Sequence, residues 1–389
     1  MKNHTFHLWF PNIFGFKGGI QVYSAFFLQA IQNIDPQSQY DIFLKHDVNT
    51  SSEIPYLPHT RFHFSGAISS KLRTSSFAYK IISQGFLQQP DLIISTHLNF
   101  ALAAYWLKRF RNIPYWIVAH GIEAWDIKNT GLKNALYHAD LILAVSSYTR
   151  KRLILEQQLD PNKVVIIPNT FDIHRFIPQE KPEYLLEKYK LTKEQPVILT
   201  VSRLVEVKRF KGYDQILKAI PLIRQVIPDI HYLIVGKGND SKRIEESILK
   251  MQLQDYVTLV GFVADEQLCD YYNLCDLFAM PGKREGFGIV YLEALACGKP
   301  VLAGNQDGSV DALCHGELGA LINPDDIDEI AQTIIQILKR NYPNPLMYEP
   351  EMLRQKVIDS FGFTSFQKTL ANYLESHFRS HLKLDTKSS

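Results

Sequence analysis

The chain has 389 residues, 46% hydrophobic and 21% charged, which suits a folded protein long enough for two domains. A formal net charge of +2 is too small to suggest nucleic-acid binding by itself. The four cysteines, at 269, 275, 297 and 314, contain no Cys-x-x-Cys pair, which argues against a zinc or redox motif and for reduced thiols in the cytoplasm. The opening Met-Lys-Asn-His-Thr lacks the apolar core of a signal peptide, and no run approaches the roughly 20 apolar residues of a membrane span.

The first half alternates strand and helix patterns. Phe6 to Phe10 reads as a strand, followed by a Gly-rich turn and an amphipathic helix from about Ile20 to Ile34. A turn with Gly15, Gly18 and Gly19 in that position is where a phosphate can be cradled; a plain tight turn is the competing reading. Further strands are expected at 41–44, 61–64, 91–95, 115–119, 140–145 and 164–167, a pattern of parallel, doubly wound sheet. Such sheets bind ligands at the carboxyl ends of their strands. His97 and His120 stand at two of those ends.

After Pro168-Asn-Thr-Phe-Asp the pattern restarts with a strand at Val197 to Val201. Arg203 follows that strand and Lys211 precedes the next helix, so two cations border a strand-to-helix loop and can hold a pyrophosphate. Lys208 competes with Lys211 for that role. A strand at 231–235 ends at Gly236-Lys-Gly-Asn-Asp, which is not a full dinucleotide fingerprint and reads as a turn edging a nucleotide pocket. Another strand at 256–260 leads into Gly261-Phe262-Val263. Asp276 to Met280 is a buried-type strand, ended by Pro281 and Gly282. A helix, apolar almost all round, is predicted from about Gly288 to Cys297, and Gly298 and Pro300 stop it. Glu293 lies within it and needs a hydrogen-bond partner, while Glu285 lies in the loop before it. One segment thus carries two carboxylates able to accept sugar hydroxyls and a helix N-terminus suited to phosphate. A strand at 319–322, a helix at about 327–339 and a terminal helix at about 364–377 complete the chain.

Glu285 and Glu293, seven residues between them, with Gly-Phe-Gly after the first and Ala-Cys-Gly-Lys-Pro-Val after the second, resemble the signature of glycosyltransferase family 4. The resemblance implies an α/β fold of GT-B type, with two doubly wound parallel-sheet domains facing across a cleft and a C-terminal helix crossing back to the first. It divides the chain into an acceptor-side domain at 1–170, a linker at 171–195, a nucleotide-sugar domain at 196–363, a helix at about 364–380 on the first domain and a disordered tail at 381–389. It implies retaining transfer of a hexose-type sugar from a UDP-, GDP- or ADP-sugar to a glycan or lipid-linked acceptor in cell-surface polysaccharide or glycoconjugate synthesis. No cofactor or metal is expected. Arg203 and Lys211 would neutralise the diphosphate and Glu285 would orient the donor sugar. His120, which opens His-Gly-Ile-Glu-Ala-Trp, would hydrogen-bond the donor sugar or acceptor. Glu293 would accept from the ribose, with Gly286, Phe287, Gly288, Ile289, Gly236, Phe262, Gly18 and Gly19 completing the donor site. The family's Gly-Gly turn is replaced here by Asp307-Gly308-Ser309, and its Pro-Asn-Gly-Val-Asp by Pro-Asn-Thr-Phe-Asp.

Other readings stay open: a nucleotide-sugar epimerase or a sugar phosphorylase on the same scaffold, a catalytically silent sugar-nucleotide-binding subunit, or a two-domain sugar-binding protein. The residues name neither base, sugar nor acceptor. A cytoplasmic location is expected. The basic stretches Lys108-Arg-Phe-Arg111 and Arg150-Lys-Arg152 are either solvated helix faces or contacts to an anionic membrane on its inner face.

Overall fold

The structure, a computed structural model, describes residues 3–15, 18–51 and 55–385, with side chains left out at 208, 209 and 380–385. The chain forms two units, Met1–Thr170 with Phe363–Ser389, and Phe171–Gly362.

In the first unit, β1 (Thr5–Phe10), β2 (Gln39–Leu44), β3 (Arg61–Phe64), β4 (Leu92–Ser95), β5 (Tyr115–Ala119), β6 (Leu141–Ala144) and β7 (Val164–Ile166) form one parallel sheet, ordered β3-β2-β1-β4-β5-β6-β7. The central strands are nearly all apolar because both sheet faces are covered. The helices are α1 (Gly19–Ile34), α2 (Ser70–Gln88), α3 (Ala101–Arg111), α4 (Thr130–Tyr137) and α5 (Ser147–Gln157). Trp9, Phe43, Ile93 and Ile117 from the sheet meet Phe77, Ala104 and Leu107 from α2 and α3 in one core.

The second unit opens with α6 (Glu183–Tyr189), so residues 171–195, read as a linker, contain a helix and belong to this unit. It then alternates β8 (Val197–Val201), α7 (Tyr213–Arg224), β9 (His231–Val235), α8 (Ser241–Lys250), β10 (Val257–Gly261), α9 (Leu268–Leu274), β11 (Leu277–Met280), α10 (Ile289–Ala296), β12 (Val301–Gly304), α11 (Ser309–Ala312) and β13 (Ala320–Ile322). Its parallel sheet is ordered β10-β9-β8-β11-β12-β13. The order turns back between β8 and β11, the place where open α/β sheets bind ligands. Helices α12 (Ile327–Leu338) and α13 (Pro350–Phe361) close this unit. The terminal helix α14 (Phe363–Asp385) packs against α1 in the first unit, through contacts such as Phe366 on Tyr23 and Phe27. The tail expected to lack structure from 381 is helical as far as Asp385, and residues 386–389 lie outside the described residues.

Arg354 on α13 ties three separate carbonyls together. Its guanidinium donates to Ala296 O at 2.7 Å, to Ile173 O at 2.6 Å and to Phe176 O. The end of α10 is thereby bound to the segment that opens the unit. Arg354→Met keeps the bulk and removes the donors. The expected loss is about 2–3 kcal/mol of unfolding free energy, read from the urea midpoint at unchanged slope. An unchanged midpoint would show that water replaces the guanidinium at no cost.

Candidate active site

Glu285 sits between β11 and α10 in a loop gripped from two sides. On one side, Gly308 N–H donates to Glu285 O at 2.9 Å, and the Asp307 carboxylate accepts from Glu285 N–H at 2.6 Å. Asp307 is almost fully buried and also accepts from the N–H of Ser309 at 3.0 Å and from its hydroxyl. Burial pushes the Asp307 carboxyl up to about 6, against the hydrogen bonds that favour its charged form. Only glycine fits at 308, since a Cβ there would lie 2.1 Å from Gly286 O. On the other side, Lys283 N–H donates to Phe210 O at 3.0 Å, and the Lys211 ammonium makes an ion pair with the Glu285 carboxylate. Both side chains of that pair are largely buried.

Glu293 points from α10 to Tyr272 on α9, whose hydroxyl donates to it at 2.7 Å. That is the partner its place in an apolar helix demanded. Burial still raises the Glu293 carboxyl to about 7, with Tyr272 and the Arg175 charge opposing the shift. Gly288, at φ +96°, stands just before α10, and the N–H groups of the helix's first turn have no partner within the helix. Glu285, Glu293, Lys211 and this helix start therefore share one neighbourhood beside the point where the sheet order turns back.

The other residues of this unit divide. Arg203 is exposed, just past the end of β8. The side chain of Lys208 lies outside the described residues, and among the described side chains Lys211 is the lysine that pairs with Glu285. Gly286 is the carbonyl against which Gly308 packs, and Ile289 opens α10. Phe287 is buried and packs edge-on against Phe361 at 5.4 Å, so its ring belongs to the core and only its backbone is left for a ligand. Gly236 has φ +143°, and a Cβ there would meet Ser202 O at 1.8 Å, so glycine is required by the neighbouring loop. Phe262 is exposed with the Lys237 ammonium 4.3 Å from its ring centre.

In the first unit the phosphate-cradle reading of the Gly-rich turn is corrected at Gly15. The N–H groups of Ile13, Phe14 and Gly15 all donate to Asp47, at 2.6, 3.1 and 2.8 Å. A carboxylate of the protein already fills that concavity. Residues 16 and 17 of the turn lie outside the described residues, and Gly18 and Gly19 stand at the start of α1. His120, past β5, bonds Thr96 O at 3.0 Å through Nε2, which makes Nε2 the protonated nitrogen and leaves Nδ1 as an acceptor. Burial lowers its pKa to about 4, so it is neutral at pH 7. Its backbone N–H donates to Glu123 at 2.5 Å. Burial raises the Glu123 carboxyl and lowers the His97 imidazole, and the opposite charges of the two partly offset both shifts. The structure thus gathers His97, His120 and Glu123 at the carboxyl ends of β4 and β5. Sequence reasoning missed Asp307, Tyr272 and Glu123; the one available signal was Asp307 standing where the family has glycine.

The raised Glu293 pKa sets a sign for stability. Its ordinary value is 4.5 and its folded value about 7, so between them the folded state holds the proton more tightly. Stability therefore falls as pH rises from about 5 to above 7, by on the order of 1–3 kcal/mol from this group. Glu293→Gln keeps an acceptor for Tyr272 and cannot ionise. Its melting temperature should decline less than that of the wild type across this range. Parallel profiles would show that Glu293 is charged throughout.

Two family models match the chain, Glycosyltransferase Family 4 over residues 5–175 and Glycosyl transferases group 1 over residues 183–354. A GDP-mannose-dependent alpha-(1-6)-phosphatidylinositol monomannoside mannosyltransferase of Mycolicibacterium smegmatis is 31% identical over 56% of this chain, and the match spans only 59% of that relative's own length. A D-inositol 3-phosphate glycosyltransferase of the same organism is 25% identical over 81% of this chain and 74% of its own. The fold matches that of HepE from Anabaena, solved with UDP and glucose, with a TM-score of 0.77 at 20% identity, over 96% of this chain and 100% of that one. That likeness places both units in the GT-B architecture. With matched segments covering nearly its whole length, the chain belongs to glycosyltransferase family 4.

Proposed function

We propose that the protein transfers a hexose, with retention, from a nucleoside-diphosphate sugar to a glycan or lipid-linked acceptor. The observation that carries this reading is the gripped loop: Glu285 paired with Lys211, next to a helix start, with Glu293 one helix further in. A diphosphate arriving at the first turn of α10 competes with Glu285 for the Lys211 ammonium. Lys211 and Arg203 then hold the phosphates, and the charge growing on the leaving group strengthens that hold. Glu285, released from its partner, accepts from hydroxyls of the donor sugar. Glu293 in its ionised form accepts from the ribose, which favours donor binding above about pH 7. His120, neutral and with Nδ1 as acceptor, receives a hydroxyl hydrogen bond and does not add a charge. In a retaining transfer the departing phosphate itself can take the acceptor's proton, so no further base is required. These residues need no metal ion for any of these roles.

The relatives direct the search for the donor. GDP-mannose is named for the phosphatidylinositol monomannoside enzyme, and UDP with glucose accompanies HepE, so guanine and uracil are the bases to test first. The same mannosyltransferase acts on a lipid-linked inositol, which supports a lipid-linked or cell-surface glycan acceptor here.

Thermal stabilisation across GDP, UDP, ADP and their sugars is the direct test. One base should shift the melting temperature selectively, and Glu293→Ala should abolish the shift. The absence of any nucleotide-dependent shift would sink the proposal in favour of a phosphorylase. With the donor known, Lys211→Ala should lower kcat/KM by about 10²-fold or more, as removal of one contact to a transition-state anion does. Lys208→Ala should stay near wild type; the reverse result would transfer the role to Lys208.

A further inference from the structure

One buried carboxylate of the second unit has no part in the transfer proposed for Glu285, Lys211 and Glu293. Asp307, in the turn between β12 and α11, divides its two oxygens between two segments. Oδ2 accepts from Glu285 N–H at 2.6 Å. Oδ1 accepts from Ser309 N–H at 3.0 Å and from the Ser309 hydroxyl. An ionised carboxylate only accepts, so donors converging on both oxygens suit Asp, whereas an Asn amide would turn a donor towards one of them. Burying a carboxylate is costly, and the joining of these two loops does not require one. Gly308 N–H already bonds Glu285 O, and a Cβ at Gly304 would lie 2.1 Å from Gly282 O, so the backbones touch by themselves. What Asp307 adds is a hold on the N–H of Glu285.

That hold matters at one step. Without a ligand, the Glu285 carboxylate is kept in place by the Lys211 ammonium. A diphosphate that draws Lys211 away removes this support just when Glu285 is needed by the sugar. Residue 285 is then held by its main chain, through Asp307 at the N–H and Gly308 at the carbonyl. The N–H belongs to the rigid peptide plane before the Glu285 Cα and the carbonyl to the plane after it. Fixing both planes sets φ and ψ of residue 285, and with them the direction in which its side chain leaves the backbone. Fixing one leaves the root of the side chain free to turn. We propose that Asp307 is a positioning residue for the donor sugar: acting through the Glu285 N–H, it keeps the Glu285 carboxylate aimed at the sugar hydroxyls after Lys211 has turned to the diphosphate. The proposal rests on the roles given above to Glu285 and Lys211. In it Asp307 itself touches neither sugar nor phosphate.

The test is the ratio of two dissociation constants, that of a nucleotide sugar over that of its bare nucleoside diphosphate. GDP-mannose with GDP and UDP-glucose with UDP are the probes, titrated into the full chain at about pH 8, where Asp307 and Glu293 are both ionised. The ratio cancels the grip on base and phosphates and reads the sugar contact. Glu285→Ala and Asp307→Ala should each raise it about tenfold or more, the loss expected for one hydrogen bond to a charged group. Binding of the bare diphosphate by Asp307→Ala should stay near the wild-type value. The double variant should raise the ratio no further than Glu285→Ala does, because Asp307 acts only through that residue. Asp307→Asn can turn its amide oxygen to the Glu285 N–H and its NH2 to the Ser309 hydroxyl, and should stay near wild type. Asp307→Leu fills the space without an acceptor and replaces the alanine variant if that one does not fold. An unchanged ratio in Asp307→Ala or Asp307→Leu, beside a raised one in Glu285→Ala, would overturn this proposal alone. So would additive losses in the double variant, or a loss in Asp307→Asn as large as that of Asp307→Ala. A ratio that Glu285→Ala leaves unchanged would overturn the reading of Glu285 and this proposal with it, and no binding of either diphosphate would overturn the donor site as a whole.

Discussion

Asp307 is a buried carboxylate whose oxygens accept from the backbone of two different segments, Glu285 on one side and Ser309 on the other. Beside it Gly308 packs against the Gly286 carbonyl so closely that no side chain fits. Opposite, the chain before α7 reaches over with the Phe210 carbonyl and the Lys211 ammonium. The Glu285 loop has few backbone groups left to rearrange. The backbone of the loop is thus fixed by the fold itself, while the Glu285 carboxylate is held by its pairing with Lys211. The order of strands makes it possible, because β8, β11 and β12 are neighbours and their following loops converge.

That convergence has an energetic cost, and it falls on the carboxylates. Asp307 and Glu293 are both pushed above the ordinary carboxylate range by burial. An apolar residue at 293 would suit the helix better, since every neighbour on α10 is apolar. The Tyr272 hydroxyl offsets part of that cost at Glu293.

The first unit has the opposite electrostatic character. Its Gly-rich turn is filled, at Ile13 to Gly15, by the Asp47 carboxylate from the loop after β2. His120 is neutral and hydrogen-bonded to a carbonyl. Lys211 and the start of α10 lie in the second unit, while the first holds the neutral His120 together with the Glu123–His97 pair.

The amino-acid sequence alone determined the strands and the two-sheet α/β class. Parallel strands buried on both faces are short apolar runs, and Pro281, Gly298 and Pro300 mark their borders by backbone chemistry that needs no context. It also determined that Glu285, Glu293 and the start of α10 belong together, because they lie within one strand–loop–helix segment. Only tertiary structure decided what lies across from them. Lys211 is 74 residues from Glu285, Tyr272 is 21 from Glu293, and Asp307 is 22 from Glu285, separations over which no local periodicity operates. The Asp47 carboxylate in the turn and the Phe287 ring turned into the core were hidden for the same reason. Local sequence sets the conformation and hydrophobic face of a segment, whereas the partner that satisfies a buried charge is chosen by which distant loops the sheet order brings together.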